Sequence, residues 1–306
     1  MTVLVTGEAL VDLLISQDGD VAAALGGGPF NTARTIGRLG VGVAFAGSIS
    51  RDRFGSLLLD RLRADGVDDT PVVATELPTT LAAAELDPDG TATYRFYVEG
   101  TAAPALLSID VPPDVTAVHA GTLGLVLEPM ATATEAMIAG LGPRVLLMVD
   151  VNCRPRIVAD RVAYLARIDR VATRADVVKV SGEDLEFLGD GTAAGGERVI
   201  ARLLAAGVRV VLHTDGGRAA HVRTADADVT VPVPSITVAD TVGAGDAFGG
   251  GFLAWWTRRG LGRDDLGDLA AIEAGAREAV RIAAETCARI GADPPDAGTL
   301  GGIWTS

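Results

Sequence analysis

Apolar residues fall along the chain in two alternating rhythms. Residues 3–6 and 43–46, and the run RVLLMVDVN at 144–152, are almost wholly apolar and end in polar residues. Such runs suit strands buried on both faces of a parallel sheet. Residues 30–39 and 54–64 instead repeat apolar positions at helical spacing, with stop signals at Gly40 and at DGV, 65–67. DVVKVS (176–181) and RVVLHT (209–214) return to the strand design, each after a helical stretch. The alternation predicts an α/β fold with polar groups at the C-terminal strand ends, where open α/β sheets bind ligands.

One segment breaks the rhythm. TTLAAAELDPDGTATYRFYVEG (79–100) alternates with period two on both sides of Asp87-Pro88-Asp89-Gly90, which predicts a β-hairpin. A shorter excursion spans about 10–25, around QDGD at 17–20. The expected organisation is one domain over residues 1–306. An α/β body carries a small β appendage from about 10–25 and 78–100. The appendage reads either as two surface hairpins or as a lid that closes over a substrate. The cluster Tyr94, Phe96 and Tyr97 favours the lid, because aromatics make up only 4% of the chain.

Composition narrows the partners. The 306 residues carry a formal net charge of −14, which speaks against nucleic acid and anionic membranes. Lys179 is the only lysine, so arginines and backbone N–H groups must serve any anionic ligand. Two cysteines, Cys153 and Cys287, give no disulfide framework. The N-terminus lacks a basic leader, and no apolar run reaches membrane-spanning length. These features together predict a soluble cytoplasmic protein. The three histidines and Cys287 show no metal-ligand spacing. Cys287 reads as a small helix-packing residue, and His119 as a strand-end residue.

Candidate chemistry concentrates in two glycine-rich stretches. In VADTVGAGDAFGGGFLAWW (238–256), Asp240 and Asp246 flank Gly243-Ala244-Gly245 at the expected start of a helix over 247–257. Successive N–H groups there form an anion cradle. Asp246 is then either a helix cap or a general base. In LGGGPFNTARTIGRLG (25–40), Gly27, Gly28 and Asn31 precede or open a helix, and an amide suits polyol hydroxyls. Asp12 follows the first strand. There is neither a Walker-type phosphate loop nor a dinucleotide fingerprint after the first strand.

Read together, these stretches resemble the ribokinase-like (PfkB) carbohydrate kinases. DTVGAGDAF (240–248) is similar to the C-terminal signature, and GGGPFN (26–31) to the N-terminal one. GEALVD (7–12), DVNCRP (150–155), KVSGEDLEFL (179–188) and CARIGADPP (287–295) are similar to connecting segments in the same order. The resemblance implies a three-layer α/β body with a mostly parallel sheet and a small β-sheet lid. It implies phosphoryl transfer from ATP, with Mg²⁺, to a primary hydroxyl of a monosaccharide. Asp246 matches the base, with Gly243, Ala244 and Gly245 as the anion hole. Asp12, Gly27, Gly28 and Asn31 match sugar-binding positions, with Tyr94 and Phe96 contributed by the lid. Arg154 matches an arginine close to sugar or phosphates. Lys179, Ser181, Thr214 and Gly216 match the nucleotide side, and Cys287 the loop beside the adenine.

The match has departures. The usual Asn-x-x-Glu stands here as Ser181-Gly182-Glu183-Asp184, so either Glu183 or Asp184 is the acid that influences Mg²⁺. Many members also bind a monovalent cation, K⁺. The positions matching that site are Asp240, Val242, Thr286, Arg289 and Gly291, without the side-chain oxygen that some relatives carry at Pro295. DVNCRP, Ser181 and the lid strand YRFYVEGTA point to a fructokinase-like member. Ketodeoxygluconate, ribose, and a catalytically silent sugar or nucleotide sensor are the alternatives. Related proteins often pair through the lid, so a homodimer is expected.

Overall fold

The computed structural model describes residues 1–86 and 92–305, and within them the two rhythms become strands and helices. The first half of the chain runs β1 (Thr2–Thr6), β2 (Leu10–Ile15), β3 (Val21–Gly26), α1 (Gly28–Arg38), β4 (Val43–Ala46), β5 (Ser48–Ser50), α2 (Arg53–Ala64), β6 (Val73–Thr75), β7 (Leu81–Leu86) and β8 (Ala92–Tyr97). After it come β9 (Val115–Gly121), α3 (Met130–Gly140), β10 (Leu146–Asp150), α4 (Arg161–Ala172), β11 (Val177–Ser181), α5 (Gly182–Leu188), α6 (Ala193–Ala205) and β12 (Val210–Asp215). The chain closes with β13 (Ala219–Arg223), β14 (Asp228–Pro232), α7 (Ala244–Arg258), α8 (Leu269–Cys287) and α9 (Ala297–Leu300).

Eight strands form the main sheet in the order β14-β13-β12-β11-β10-β9-β1-β4. All neighbours from β12 to β4 are parallel, and the two edge pairs at β13 and β14 are antiparallel. Alternate residues feed opposite faces. On β1, Val3 and Val5 join a core with α1, α2, α7 and α8, while Leu4 joins one with α3 to α6. The sheet is thus the middle of three layers. From β1 the chain steps to β4 on one side and later to β9 on the other. That reversal opens a crevice at the C-terminal strand ends.

The appendage is a four-stranded sheet in the order β3-β2-β7-β8. Both excursions contribute to one sheet, because β2 pairs in parallel with β7. The hairpin joins β7 to β8 with Leu81 opposite Tyr97, and its expected turn, Asp87 to Gly90, lies outside the described residues. Leu14, Val21 and Tyr97 stay exposed on this sheet. Among the described residues no helix is long and apolar enough to cross a membrane.

Helix starts differ from expectation for one physical reason. α1 begins at Gly28 rather than near residue 30, with Pro29 in its first turn. α7 begins at Ala244 rather than 247, so part of the glycine run lies inside the helix. First-turn N–H groups need no intrahelical partner, so proline and glycine cost little there. His119 is not a strand-end residue either: it is buried within β9.

Candidate active site

The polar ends of the parallel strands open into one cleft of about 1070 Å³ beneath the lid. Glu8 follows β1, Thr122 follows β9, Asn152 to Arg156 follow β10, and Thr214 to Arg218 span the β12–β13 turn. The lid adds Leu10, Asp12, Tyr94 and Phe96; Tyr94 and Phe96 stack with ring centroids 6.2 Å apart. Gly243, Gly245 and Asp246 close the cleft from the start of α7.

Asp246 lies in the first turn of α7 and is 8% exposed. The N-cap is Gly243, in a left-handed conformation and with no side-chain cap bond. The carboxylate therefore does not cap the helix; it accepts a hydrogen bond from Asn31 Nδ2 at 2.9 Å. Burial pushes its pKa up to about 6, Asp150 adds to the rise, and Asn31, Lys179 and Arg154 oppose it. A carboxyl poised near neutrality in a cleft wall can take a proton. Of the three expected anion-hole residues, Gly243 and Gly245 line the cleft. Ala244 does not, and its N–H donates to the Thr241 carbonyl at 3.3 Å.

Lys179 sits beneath this helix start. Its Nζ bonds both oxygens of Asp150, at 3.0 and 2.8 Å, and both residues are buried. A Cβ added to Gly245 would come 3.4 Å from that Nζ. Burial alone would lower the lysine pKa; Asp150, with Asp184 and Asp246, holds it above its ordinary value. The ammonium and the helix N-terminus thus act on the same spot. His119 lies on the same side, and both its ring nitrogens are buried without a partner. Burial, with the Lys179 charge, pushes it down to about 3, so it is a neutral imidazole.

The wall facing Asp246 is fitted closely. Gly27 has φ of 111°, and a Cβ on it would come 2.7 Å from the Glu8 carbonyl oxygen. A Cβ on Gly28 would crowd Thr122 Oγ1 at 2.8 Å, Asn152 Nδ2 at 3.2 Å and Asp246 Oδ1 at 3.3 Å. Thr122 and Asn152 are bonded to each other and are the two non-glycine residues with positive φ, 51° and 37°, among those described. Strained backbone of this kind costs about 1–3 kcal/mol per residue and collects at functional sites. Burial raises the Asp12 pKa to about 6, with Arg154 opposing. Arg154 enters none of the ion pairs among the described residues. Its Nη1 donates to the Asn152 carbonyl and side chain and to the Cys153 carbonyl, and its charge acts on Glu8, Asp12, Asp150 and Asp246. Arg156 Nη1 reaches the Tyr94 carbonyl at 3.1 Å and ties the body to the lid.

The other end of the cleft corrects several expectations. Ser181 and Asp184 form a capping box on α5, and Asp184 also accepts from Cys153 N at 2.5 Å. Both Asp184 oxygens are therefore engaged, and this residue does not line the cleft. Glu183 and Glu186 do line it, exposed and in no ion pair among the described residues. Thr214, Gly216 and Gly217 line it as well, beside Asp215, which pairs with Arg218. Cys287 does not reach the cleft; its carbonyl instead accepts from Ala239 and Asp240. In the expected monovalent-cation set, Asp240 spends its two oxygens on the N–H groups of Val242 and Gly291. The carbonyls of Thr286 and Gly291 accept from Arg289 and Asp293. These bonds knit two loops together, and a carbonyl or carboxylate oxygen that accepts one N–H keeps a further lone pair.

Glu8, Thr122, Arg156 and Glu186 are cleft residues that sequence reasoning missed. Their shared signal is a polar residue within a few positions of a strand's C-terminal end.

The pfkB family carbohydrate kinase profile matches residues 2–296. A fructokinase of Rhizobium leguminosarum bv. trifolii is 38% identical over 260 residues, which are 82% of this chain and 78% of that one. The fructokinase of Xylella fastidiosa with bound ATP superposes with a TM-score of 0.86 at 29% identity, covering 95% of this chain and 93% of that one. The fructokinase of Vibrio cholerae O395 in its fructose-, ADP- and calcium-bound form gives 0.83 at 28% identity, covering 95% and 94%.

Proposed function

The chain belongs to the pfkB family of carbohydrate kinases, and we propose that it transfers the γ-phosphoryl group of ATP to a primary hydroxyl of fructose. The observation that carries the chemistry is Asp246: buried, free of a capping role, and held by Asn31 in the cleft wall. The observation that favours fructose is the likeness to fructokinases over most of both chains.

In this reading the sugar lies under the lid, against Asp12, the Gly27–Gly28 turn and Asn31. Asp246 takes the proton of the attacking hydroxyl. The N–H groups of Gly243, at the N-cap, and Gly245, in the first turn, reinforced by Lys179 below, offset charge on the migrating group. Two acids three residues apart, Glu183 and Glu186, present unpaired carboxylates to the cleft and fit Mg²⁺ bound with ATP. Magnesium there would neutralise charge on the phosphates. The lid, tied down by Arg156, excludes water and limits idle ATP hydrolysis.

A coupled ADP-release assay over a panel of sugars tests the reading. Fructose is expected to give the highest kcat/KM. A higher value for ketodeoxygluconate or ribose would replace the substrate. Sugar binding with no ADP from any sugar would favour a silent sensor.

A further inference from the structure

One buried carboxyl in the cleft has no part in the scheme above. Glu8, in the turn between β1 and β2, is 1% exposed. Its Oε1 accepts the Gly28 N–H at 3.2 Å, and its Oε2 is buried with no partner. Its main chain supports the same turn, since the Glu8 carbonyl is the atom that a Cβ on Gly27 would strike. Gly28 in turn packs against Asp246, Thr122 and Asn152. Glu8 therefore holds, from below, the turn that borders the base.

A carboxylate in this place would carry an uncompensated oxygen away from water, at a cost of several kcal/mol. The charged groups facing it are Arg154, from the segment after β10, and Asp246, from α7. Its own backbone N–H and that of Gly28, from α1, favour the ionised form, and burial outweighs both. Arg154 favours the ionised form, but its charge is shared with Asp12, Asp150 and Asp246. A second anion beside Asp246 would also raise the pKa of the base further. Burial, with Asp246 adding, pushes Glu8 up to about 8.

We propose that Glu8 is a positioning residue for phosphoryl transfer, working as an uncharged carboxylic acid that holds the Gly27–Gly28 turn against Asp246 without setting a second negative charge beside the base. Ionised Glu8 would keep the Gly28 bond but set a second anion beside the base and the migrating phosphoryl group, so the rate should fall as pH rises through about 8, on the side opposite to the ionisation of Asp246. The proposal rests on the kinase reading for its kinetic consequence, though not for the protonation state.

Three proteins test it: the parent chain, Glu8→Ala and Glu8→Gln. Glu8→Ala is expected to lose about tenfold or more in kcat/KM for the sugar, with KM for ATP nearly constant. Glu8→Gln keeps an acceptor for Gly28 and cannot ionise, so it should recover most of that loss and lack the fall near pH 8. Equal losses in both variants, or an unchanged alkaline fall in Glu8→Gln, would overturn the proposal. Infrared spectra read the carboxyl directly and need no activity. At neutral pH the parent should show a protonated-carboxyl stretch that is missing from Glu8→Gln and fades as pH rises through about 8. If that band is absent, Glu8 is ionised and the proposal fails whatever the enzyme phosphorylates.

Discussion

At the proposed acceptor end of the cleft, a Cβ added to Gly27 or Gly28 would land 2.7 or 2.8 Å from a neighbouring atom; at the proposed nucleotide end, one added to Gly217 would meet nothing within 4 Å. The same contrast runs through the side chains. Asp246, Asn31 and Glu8 are buried in fixed contacts, whereas Glu183, Glu186 and Arg218 are exposed. One end is a shaped socket and the other an open edge. In the proposed scheme the reacting hydroxyl must be placed to a fraction of an ångström beside its base, and a preformed surface suits that task. In the proposed reading the nucleotide brings its own charge and metal, so an open edge of backbone and exposed carboxylates is enough to receive it.

The largest effect should come from Asp246, the proposed base. Asp246→Asn keeps the shape of the socket and the partnership with Asn31, yet cannot accept a proton. Its kcat should fall by about 10³-fold or more, near 4 kcal/mol of barrier, with ATP affinity held within about threefold. The pH profile gives the sign. A carboxyl raised to about 6 is protonated below that value and inactive as a base, so kcat/KM of the parent should climb as pH rises through about 6. Near-normal turnover by the variant would move the base elsewhere and remove the reason for a shaped socket.

Gly28→Ala probes the socket without replacing a titrating group. Its methyl would press on Thr122, Asn152 and Asp246 together. None of these is the loose end of a long side chain, so the turn or the base must shift. A displacement of this order costs about 10- to 100-fold in kcat/KM for the sugar, with little change in KM for ATP. A loss confined to ATP binding would mean that the two ends are assigned the wrong way round.

The sequence made the two ends legible to different depths. DTVGAGDAF and GGGPFN identified both halves of the socket, although Asn31 and Asp246 lie 215 residues apart. What it could not give was burial. Nothing local to GEALVD shows that Glu8 is enclosed, because its surroundings come from α1, α7 and the segment after β10. The glycine run predicts a start for α7 at residue 247, three residues late, because glycine reads as a turn until the helix geometry is known. At the nucleotide end, Ser181-Gly182-Glu183-Asp184 carried two messages at once. A serine followed three residues on by an acid is a capping box, and the helix uses it so, which leaves Glu183 and Glu186 facing the cleft. The cis peptide at Glu128–Pro129 and the paired positive-φ residues Thr122 and Asn152 had no readable signal, because tertiary contacts hold them.

The smallest effect is the most telling about the open edge. Gly217 lines the cleft, does not need positive φ, and has empty space where a Cβ would go. Gly217→Ala should therefore change KM for ATP by about twofold at most, leave the sugar kinetics alone, and stabilise the fold by up to about 1 kcal/mol through a stiffer unfolded chain. Steady-state kinetics with ATP varied, beside a denaturant titration, would read both. A loss in KM for ATP as large as the loss for sugar in Gly28→Ala would show that the edge closes on the nucleotide to the tolerance of the socket. The difference between the two ends would then belong to the ligand-free cleft, and specificity for the phosphoryl donor would have to be sought in the backbone around Gly216 and Gly217.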